Sequence, residues 1–319
     1  MGPEGLLFYY EPLTSYVETM EFQAFRQDNA LFCIAIKSRY VMNAQTIGQF
    51  SLLIACLSGV SCLRRSAHVE AVPFRIIATD AGFEAPDSVP AGLRHIAYEN
   101  HGTEIHEAML VKLPQGMTAD DYVAAVRAGS NFPEGALDYS GPGLTSPGES
   151  TEVWSKLDPG NYIVICWNAG HATTRKPHPF TVQYSISDDA PPKEDVALKL
   201  FDYRFELTGQ LRKGMQTIRV ETPGPSMHEV DIFRLHEGKT ADDVRRWRKE
   251  DENGPAQADA MGGMLDSHDI HRVGWVRRNF APGRYVLHCA MPVTLDAHTT
   301  NQKITHADVG MVQEIEIKE

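Results

Sequence analysis

The sequence lacks an excess of positive charge, because its 319 residues carry 30 Lys and Arg against 42 Asp and Glu, a net charge of −12. A chain this acidic, with no basic stripe, is a poor candidate for binding nucleic acid through phosphates. The sequence also lacks Gly-x-Ser-x-Gly, Walker and Rossmann glycine patterns in a strand-turn-helix context. The acidic charge predicts that the chain binds no nucleic acid. The missing motifs, and the lack of any set of residues suited to acid–base or nucleophilic catalysis, predict that it is not an enzyme.

Cysteine is scarce beyond the first 62 residues, where only Cys166 and Cys289 of the five cysteines remain. An apolar stretch at 47–63, preceded by two basic residues, is too short and too punctuated for a transmembrane helix but fits a secretory signal. Its Leu-Ile-Ala-Cys56 segment resembles a bacterial lipobox, in which the cysteine is lipidated after cleavage. We predict that residues 1–66 are a leader and that the protein is exported to the periplasm or cell envelope. Lipidation at Cys56 would anchor the protein to the membrane. The alternative interpretation of the apolar stretch is a buried helix or a stray apolar run.

The remaining chain repeats itself with a period of about 122 residues. Fourteen residues separate Gly92 from His106 in the first copy and Gly214 from His228 in the second. From that histidine to the following cysteine the interval is sixty residues in one copy and sixty-one in the other. Because this period far exceeds that of solenoid repeats, each copy should be a complete domain. We predict two such domains, at 67–190 and 191–319.

Within each copy the pattern is mostly that of β-strands. Short apolar runs are bounded by Gly and Pro, as at Tyr162–Trp167 and Tyr285–Ala290. One helix interrupts each copy, because Thr118 and Thr240 have the pattern of N-caps with an acidic residue three positions later. We predict an all-β fold of two tandem Greek-key β-sandwich domains, each with one short helical insertion.

The second copy contains a set of residues suited to a metal. Soft sulfur with imidazole selects copper or zinc over magnesium or calcium, and two His, one Cys and a weak axial Met are the type-1 copper arrangement. His228 follows an early strand, Cys289 ends a later strand, and His306 and Met311 share one short loop. We predict that these four residues bind one type-1 copper.

The motifs of the second copy resemble those of cupredoxin-like (plastocyanin/azurin-like) proteins of the bacterial and archaeal type. The likeness rests on a His-Glu pair at 228–229, the helix start at Thr240, a Pro-Gly-x-Tyr-x-x-x-Cys strand ending at Cys289, and a final His…Gly-Met. It runs from Asp202 to the C-terminus, and in the first copy as far as Cys166. The resemblance implies a β-sandwich and, where the ligands are intact, one copper that passes an electron to a redox partner protein.

The first copy departs from this pattern at the metal. No methionine follows His178, and the Gly-Met step is missing. His106 and Cys166, with either His171 or His178, would leave a three-ligand site. We therefore expect a degenerate metal site and a mainly structural first domain. The glutamate that follows the early histidine in each copy is expected to fix a loop rather than bind metal.

Three functions stay open from the sequence. The first is electron transfer by an exported protein with copper in the second domain. The second is a metal-free tandem module that binds other envelope proteins, and the third is copper storage or delivery. The sequence contains no His-x-His pair, several of which build the trinuclear centre of multicopper oxidases.

Overall fold

A computed structural model describes residues 16–27, 30–41, 72–130, 133–187, 189–250, 252, 254–269, 271–293 and 304–319. The chain divides into two compact units, Met1–Ala67 and His68–Glu319. The predicted lipidation site Cys56 lies outside the described residues. In the described part of the chain, no helix has the length and apolar character needed to cross a membrane.

The N-terminal unit contains a long β-hairpin. Strand β1 (Tyr16–Gln27) pairs antiparallel with β2 (Ala30–Val41), in a register that runs from Tyr16 opposite Val41 to Gln27 opposite Ala30. Both strands are rich in aromatic and aliphatic residues that strands favour. The hairpin lies inside the range predicted as a leader, where no strand was expected.

The second unit contains sixteen strands in two similar sets, among the residues that are described. The first set is β3 (Phe74–Thr79), β4 (Gly82–Glu84), β5 (Ser88–Asn100), β6 (Met109–Lys112), α1 (Ala119–Arg127), β7 (Leu137–Asp138), β8 (Ser150–Leu157), β9 (Gly160–Ile165), α2 (His171–Thr174) and β10 (His178–Ile186). The second set is β11 (Val196–Phe201), β12 (Arg204–Thr208), β13 (Gly214–Glu221), β14 (Val230–Leu235), α3 (Ala241–Glu250), β15 (Ala258–Met264), β16 (Val273–Phe280), β17 (Gly283–His288) and β18 (Val312–Ile317). We call residues 72–187 the first half and residues 195–319 the second half.

The two halves share most of their strand pairings, but β10 also pairs in parallel with β5, a pairing that has no counterpart among the described strands of the second half. In the first half β3 pairs with β4 and β5, and β5 with β8; β6 pairs with β7 and β9, and β9 with β10. In the second half β11 pairs with β12 and β13, and β13 with β16; β14 pairs with β15 and β17, and β17 with β18. The prediction of an all-β fold made of two tandem β-sandwiches is confirmed. The exact domain bounds at 67–190 and 191–319 stay a prediction.

The helical insertions begin at the predicted caps. The Thr118 hydroxyl accepts a hydrogen bond from the amide N–H of Asp121, and the Asp121 carboxylate accepts one from the amide N–H of Thr118. These two backbone N–H groups at the start of α1 are therefore satisfied. Thr240 and Asp243 make the same reciprocal pair at the start of α3. The first half has one further helix, the four-residue α2, which was not predicted.

The two halves are joined by a shared sheet rather than only by the linker. Strand β16 pairs antiparallel with β8, placing Trp275 opposite Trp154 and Arg277 opposite Glu152. On this junction His95 stacks on Trp154, with ring centroids 4.0 Å apart. The largest cluster of buried apolar side chains draws on both halves. Two β-sandwiches therefore share one continuous core.

Candidate metal centre

The second half brings three of its four predicted ligands into direct contact. His228 Nδ1 lies 3.0 Å from His306 Nδ1, and Cys289 Sγ lies 3.5 Å from the same His306 atom. All three side chains are buried and form a group whose donor atoms lie within 4.8 Å of one another. We call His228, Cys289 and His306 the second-half triad.

The strand ends of this half hold the triad in place. Cys289 directly follows β17, and its amide N–H donates to the carbonyl of Met311, just before β18. The amide of Met311 in turn donates to the carbonyl of His306 at 2.8 Å. Gly310, with φ 116°, supplies the left-handed turn that lets this loop return to the strand. Met311 is fully buried and lies five residues after His306 in the chain. Its role as the fourth ligand stays a prediction.

Burial lowers the pKa of both histidines of this triad. Burial lowers the pKa of His228, although Asp202 opposes this by hydrogen bonding. Burial also lowers the pKa of His306 to about 4, with the neighbouring His228 adding to the effect. Burial raises the pKa of the Cys289 thiol, so a bound cation would be needed to favour the thiolate. Neutral imidazole is the form that binds metals.

One carboxylate in each half orients an early histidine, and the sequence analysis missed both. His228 Nε2 donates to Asp202 at 3.0 Å, and His106 Nε2 donates to Asp80 at 3.2 Å. Each aspartate lies in the turn after the first strand of its half, 26 residues before its histidine. The equal spacing was the signal that could have found them. Because Nε2 is engaged, Nδ1 is the nitrogen of His228 that is left free to bind a metal ion.

The first half assembles an equivalent three-residue group. His106, Cys166 and His171 have donor atoms within 4.8 Å of one another, with Cys166 Sγ 3.5 Å from His171 Nδ1. We call this group the first-half triad. Five residues after His171 comes the exposed Lys176, where the second half has Met311 five residues after His306.

His178 does not join the first-half triad. It opens strand β10 opposite Val164, and its ring lies 3.7 Å from the exposed Asp87. Of the two histidines left open by the sequence, the structure therefore brings only His171 to Cys166. The short spacing from Cys166 to His171 allows helix α2 to deliver the ring, whereas the strand carries His178 away.

The glutamates next to the early histidines hold loops, as expected. Glu107 accepts the amide N–H of Trp167 at 2.8 Å, and Glu229 accepts that of Ala290 at 2.9 Å. Each bond fixes the residue that follows a triad cysteine. Burial raises the pKa of Glu107 to about 7 and raises that of Glu229 well above its usual range.

Comparison with known proteins finds no matching family model and no matching curated protein. Similar solved structures include auracyanin A, a "blue" copper protein from Chloroflexus aurantiacus, at 21% identity over 35% of this chain and 100% of that chain, with a TM-score of 0.26. A blue copper oxidase from Nitrosomonas europaea matches at 15% identity over 76% of each chain, with a TM-score of 0.21. A Cu-containing nitrite reductase from Thermus scotoductus matches at 14% identity over 77% of this chain and 61% of that chain, with a TM-score of 0.20.

These matches agree with the motif resemblance in the cupredoxin-like β-sandwich fold alone. They also correct one prediction. The expectation that the chain is not an enzyme is wrong as an exclusion, because the similar structures include an oxidase and a nitrite reductase. The sequence argument rested on missing acid–base and nucleophilic groups and on missing His-x-His pairs, whereas both of those proteins are copper enzymes by name.

Proposed function

We propose that this protein is an exported copper protein that transfers single electrons through one copper held by the second half. The observation that supports this most is the buried triad of His228, Cys289 and His306, with the fully buried Met311 five residues after His306. Two imidazoles, a thiolate and a weak thioether are the donors that a type-1 site requires.

The spacing of the donor atoms fits a single metal ion. Nitrogen and sulfur ligands bound at their usual lengths lie roughly 3.3–3.7 Å from each other around one ion. In the structure the nitrogen–nitrogen distance between His228 and His306 is 3.0 Å, and the sulfur–nitrogen distance from Cys289 to His306 is 3.5 Å. An ion would therefore need only small shifts of these side chains.

The protein's own residues prepare this site. When bound, copper supplies a one-electron couple. Asp202 fixes the ring of His228, and backbone hydrogen bonds tie His306, Met311 and Cys289 together. A ligand set held by its surroundings rearranges little when the charge on the metal changes, which favours fast electron transfer. Burial of both rings keeps bulk water from the donor atoms.

The redox partner protein is proposed to approach over Tyr203. His306 itself is only 2% exposed, so a partner would reach its ring through the residues that cover it. Tyr203 is 39% exposed, and its ring meets that of His306 edge-on with centroids 5.3 Å apart. Val309 and Ile304 are also exposed apolar residues close to His306 in the chain.

A visible spectrum of the copper-loaded full chain tests this proposal. We expect Cys289→Ser to remove a strong visible band, because a hydroxyl cannot replace the thiolate in charge transfer to copper. Cys166→Ser is the matched control and should leave the band, since the first half has Lys176 in place of the thioether. A colourless protein after loading with Cu(II), or a band that survives Cys289→Ser and disappears with Cys166→Ser, would contradict the assignment.

Copper storage or delivery is the second candidate, and the first-half triad favours it. Two thiolate–imidazole sites in one chain would hold two ions, whereas the electron-transfer proposal needs one. Metal analysis after loading and desalting separates the two. A ratio near two copper ions per chain, which falls to one in Cys166→Ser, would favour storage or delivery.

Export with lipidation at Cys56 remains part of the proposal. Mass spectrometry of the native N-terminus tests it directly. A cleaved chain beginning at a lipidated Cys56 would support it, and an intact Met1 in a cytoplasmic fraction would contradict it.

A further inference from the structure

A cavity of about 280 Å³ lies where the two halves meet, and its walls carry an unusual amount of negative charge. Apolar side chains from both halves form part of the lining. Five carboxylates line the same space: those of Glu107, Asp138, Glu229, Asp231 and Asp266. We call it the acidic cavity.

The positive charge in the lining is much smaller. Arg248 on helix α3 is the one basic side chain among the described residues that line the acidic cavity. It is already engaged, since it donates to Asn168 at 2.6 Å and lies 3.3 Å from Glu252. Buried carboxylates are costly unless they are paired with a cation or protonated. Arg248 alone leaves most of this charge without a partner.

Hydrogen bonds satisfy only part of the carboxylate set. Glu107 and Glu229 each accept one backbone amide, and Asp231 accepts the amide of Leu144 at 3.0 Å across the junction of the halves. Asp266 is 4% exposed, and its Oδ2 has no hydrogen-bond partner among the described residues. A buried oxygen without a partner in a charged cavity points to a ligand that donates to it.

The acidic cavity disfavours the ionised form of its carboxyl groups. Burial raises the pKa of Asp138 to about 6. Burial and the neighbouring charge of Asp138 raise that of Asp266 well above its usual range. A ligand with positive charge would stabilise the ionised carboxylates and so offset the cost of burying their charge.

We propose that the acidic cavity binds an organic cation with at least two amino groups, of the linear diamine class. A metal ion fits the arrangement less well. In the described part of the chain, groups of three donors within 4.8 Å of one another are the two triads and Asp80 with Glu104 and His106, and none includes a cavity carboxylate. Ammonium groups at the two ends of a carbon chain can instead reach carboxylates that are spread along a wall.

The apolar part of the lining suits the carbon chain of such a ligand. Met109 and Trp167 from the first half face Leu265 and Met291 from the second. Methylene groups between two ammonium groups would be removed from water against these side chains. The Trp167 ring adds an aromatic face of the kind that attracts an ammonium group. No triad member lines the cavity, although Glu107 and Glu229 directly follow the triad histidines, so the test uses the copper-free chain.

Calorimetric titration of the copper-free full chain with 1,4-diaminobutane at pH 7.5 tests the proposal. We expect saturable binding of one diamine per chain. Asp266→Asn keeps the shape and removes the charge, and it should weaken binding at least about tenfold. Asp87→Asn is the matched control, because its side chain is 97% exposed, and it should bind as the wild type does. The monoamine 1-aminobutane should bind more weakly than the diamine.

Three results would overturn the proposal. The first is no binding of the diamine, and the second is equal binding of the diamine by Asp266→Asn and the wild type. The third is binding of CaCl2 or MnCl2 that depends on Asp266 and is not displaced by the diamine. The last outcome would make the cavity a metal site. Asp138→Asn gives a second readout if Asp266→Asn fails to fold. The rise in melting temperature of the wild type on adding diamine should be smaller in that variant.

Discussion

Replacing Asp231 by asparagine should stabilise the copper-free protein at neutral pH. Asp231 is 1% exposed, and its Oδ1 accepts the amide N–H of Leu144 from the other half. Asparagine keeps an oxygen in that position and removes the buried charge. Burial raises the pKa of Asp231 from 3.8 to about 6, which corresponds to about 3 kcal/mol of unfolding free energy.

The sign of the effect sets its pH dependence. Because the folded pKa lies above the unfolded one, this carboxyl group favours the folded state fully below pH 3.8, and the advantage is lost as the pH rises through about 6. Asp231→Asn and the wild type should therefore be equally stable near pH 3.5. Above pH 6 the variant should be more stable by up to about 3 kcal/mol, or about 6–12 °C in melting temperature.

Thermal and urea unfolding of both proteins between pH 3.5 and 8, in buffers free of amines and copper, measures this difference. Asp243→Asn is the matched control at the start of α3, where hydrogen bonds from Thr240 lower the pKa of the carboxyl group. That variant should be less stable than the wild type, not more. A variant Asp231→Asn that is less stable at pH 7.5, or a stability difference that does not change with pH, would refute the reasoning.

Three further predictions concern the metal centre and the strand geometry. Asp202→Ala should lower the copper affinity of the second half by about 10–100-fold, because the imidazole of His228 loses its orienting carboxylate. Asp80→Ala is the control, and competition with a copper chelator measures the affinity of both variants. Met311→Leu should keep the visible band and raise the reduction potential, measured by redox titration, since the axial ligand tunes the metal without being essential. Gly263→Ala should destabilise the protein by at least about 2 kcal/mol in urea unfolding. Its Cβ would lie 1.9 Å from a backbone oxygen, whereas the same change at Gly238 meets nothing within 4 Å.

Much of each half could be predicted because its information is local or periodic. Turn residues and alternating apolar residues mark the strands, and the Thr–Asp pairs mark the two helix starts. The repeated histidine-to-cysteine interval identified His228 and Cys289, and the type-1 copper ligand set added His306, which the structure brings together with them. The choice of His171 over His178 needed the structure, because it depends on which residue lies in the short helix before β10 and which opens that strand.

Contacts between the halves could not be predicted in the same way. The pairing of β8 with β16 brings together residues more than one hundred positions apart, and no period in the sequence specifies that contact. The acidic cavity also depends on contacts between the halves, since Asp138 and Glu107 come from one half and Asp231 and Asp266 from the other. In the sequence these carboxylates look like ordinary polar residues next to loops.

The pairing of β8 with β16 also decides what would happen to either half by itself. Within its own half each of these strands is an outermost strand, since β8 pairs only with β5 and β16 only with β13. Their association covers backbone groups that would otherwise be free to pair with another molecule. A fragment containing one half would present that uncovered edge, with Trp154 or Trp275 along it, to its own copies. Duplication within one chain thus also protects each sandwich from self-association.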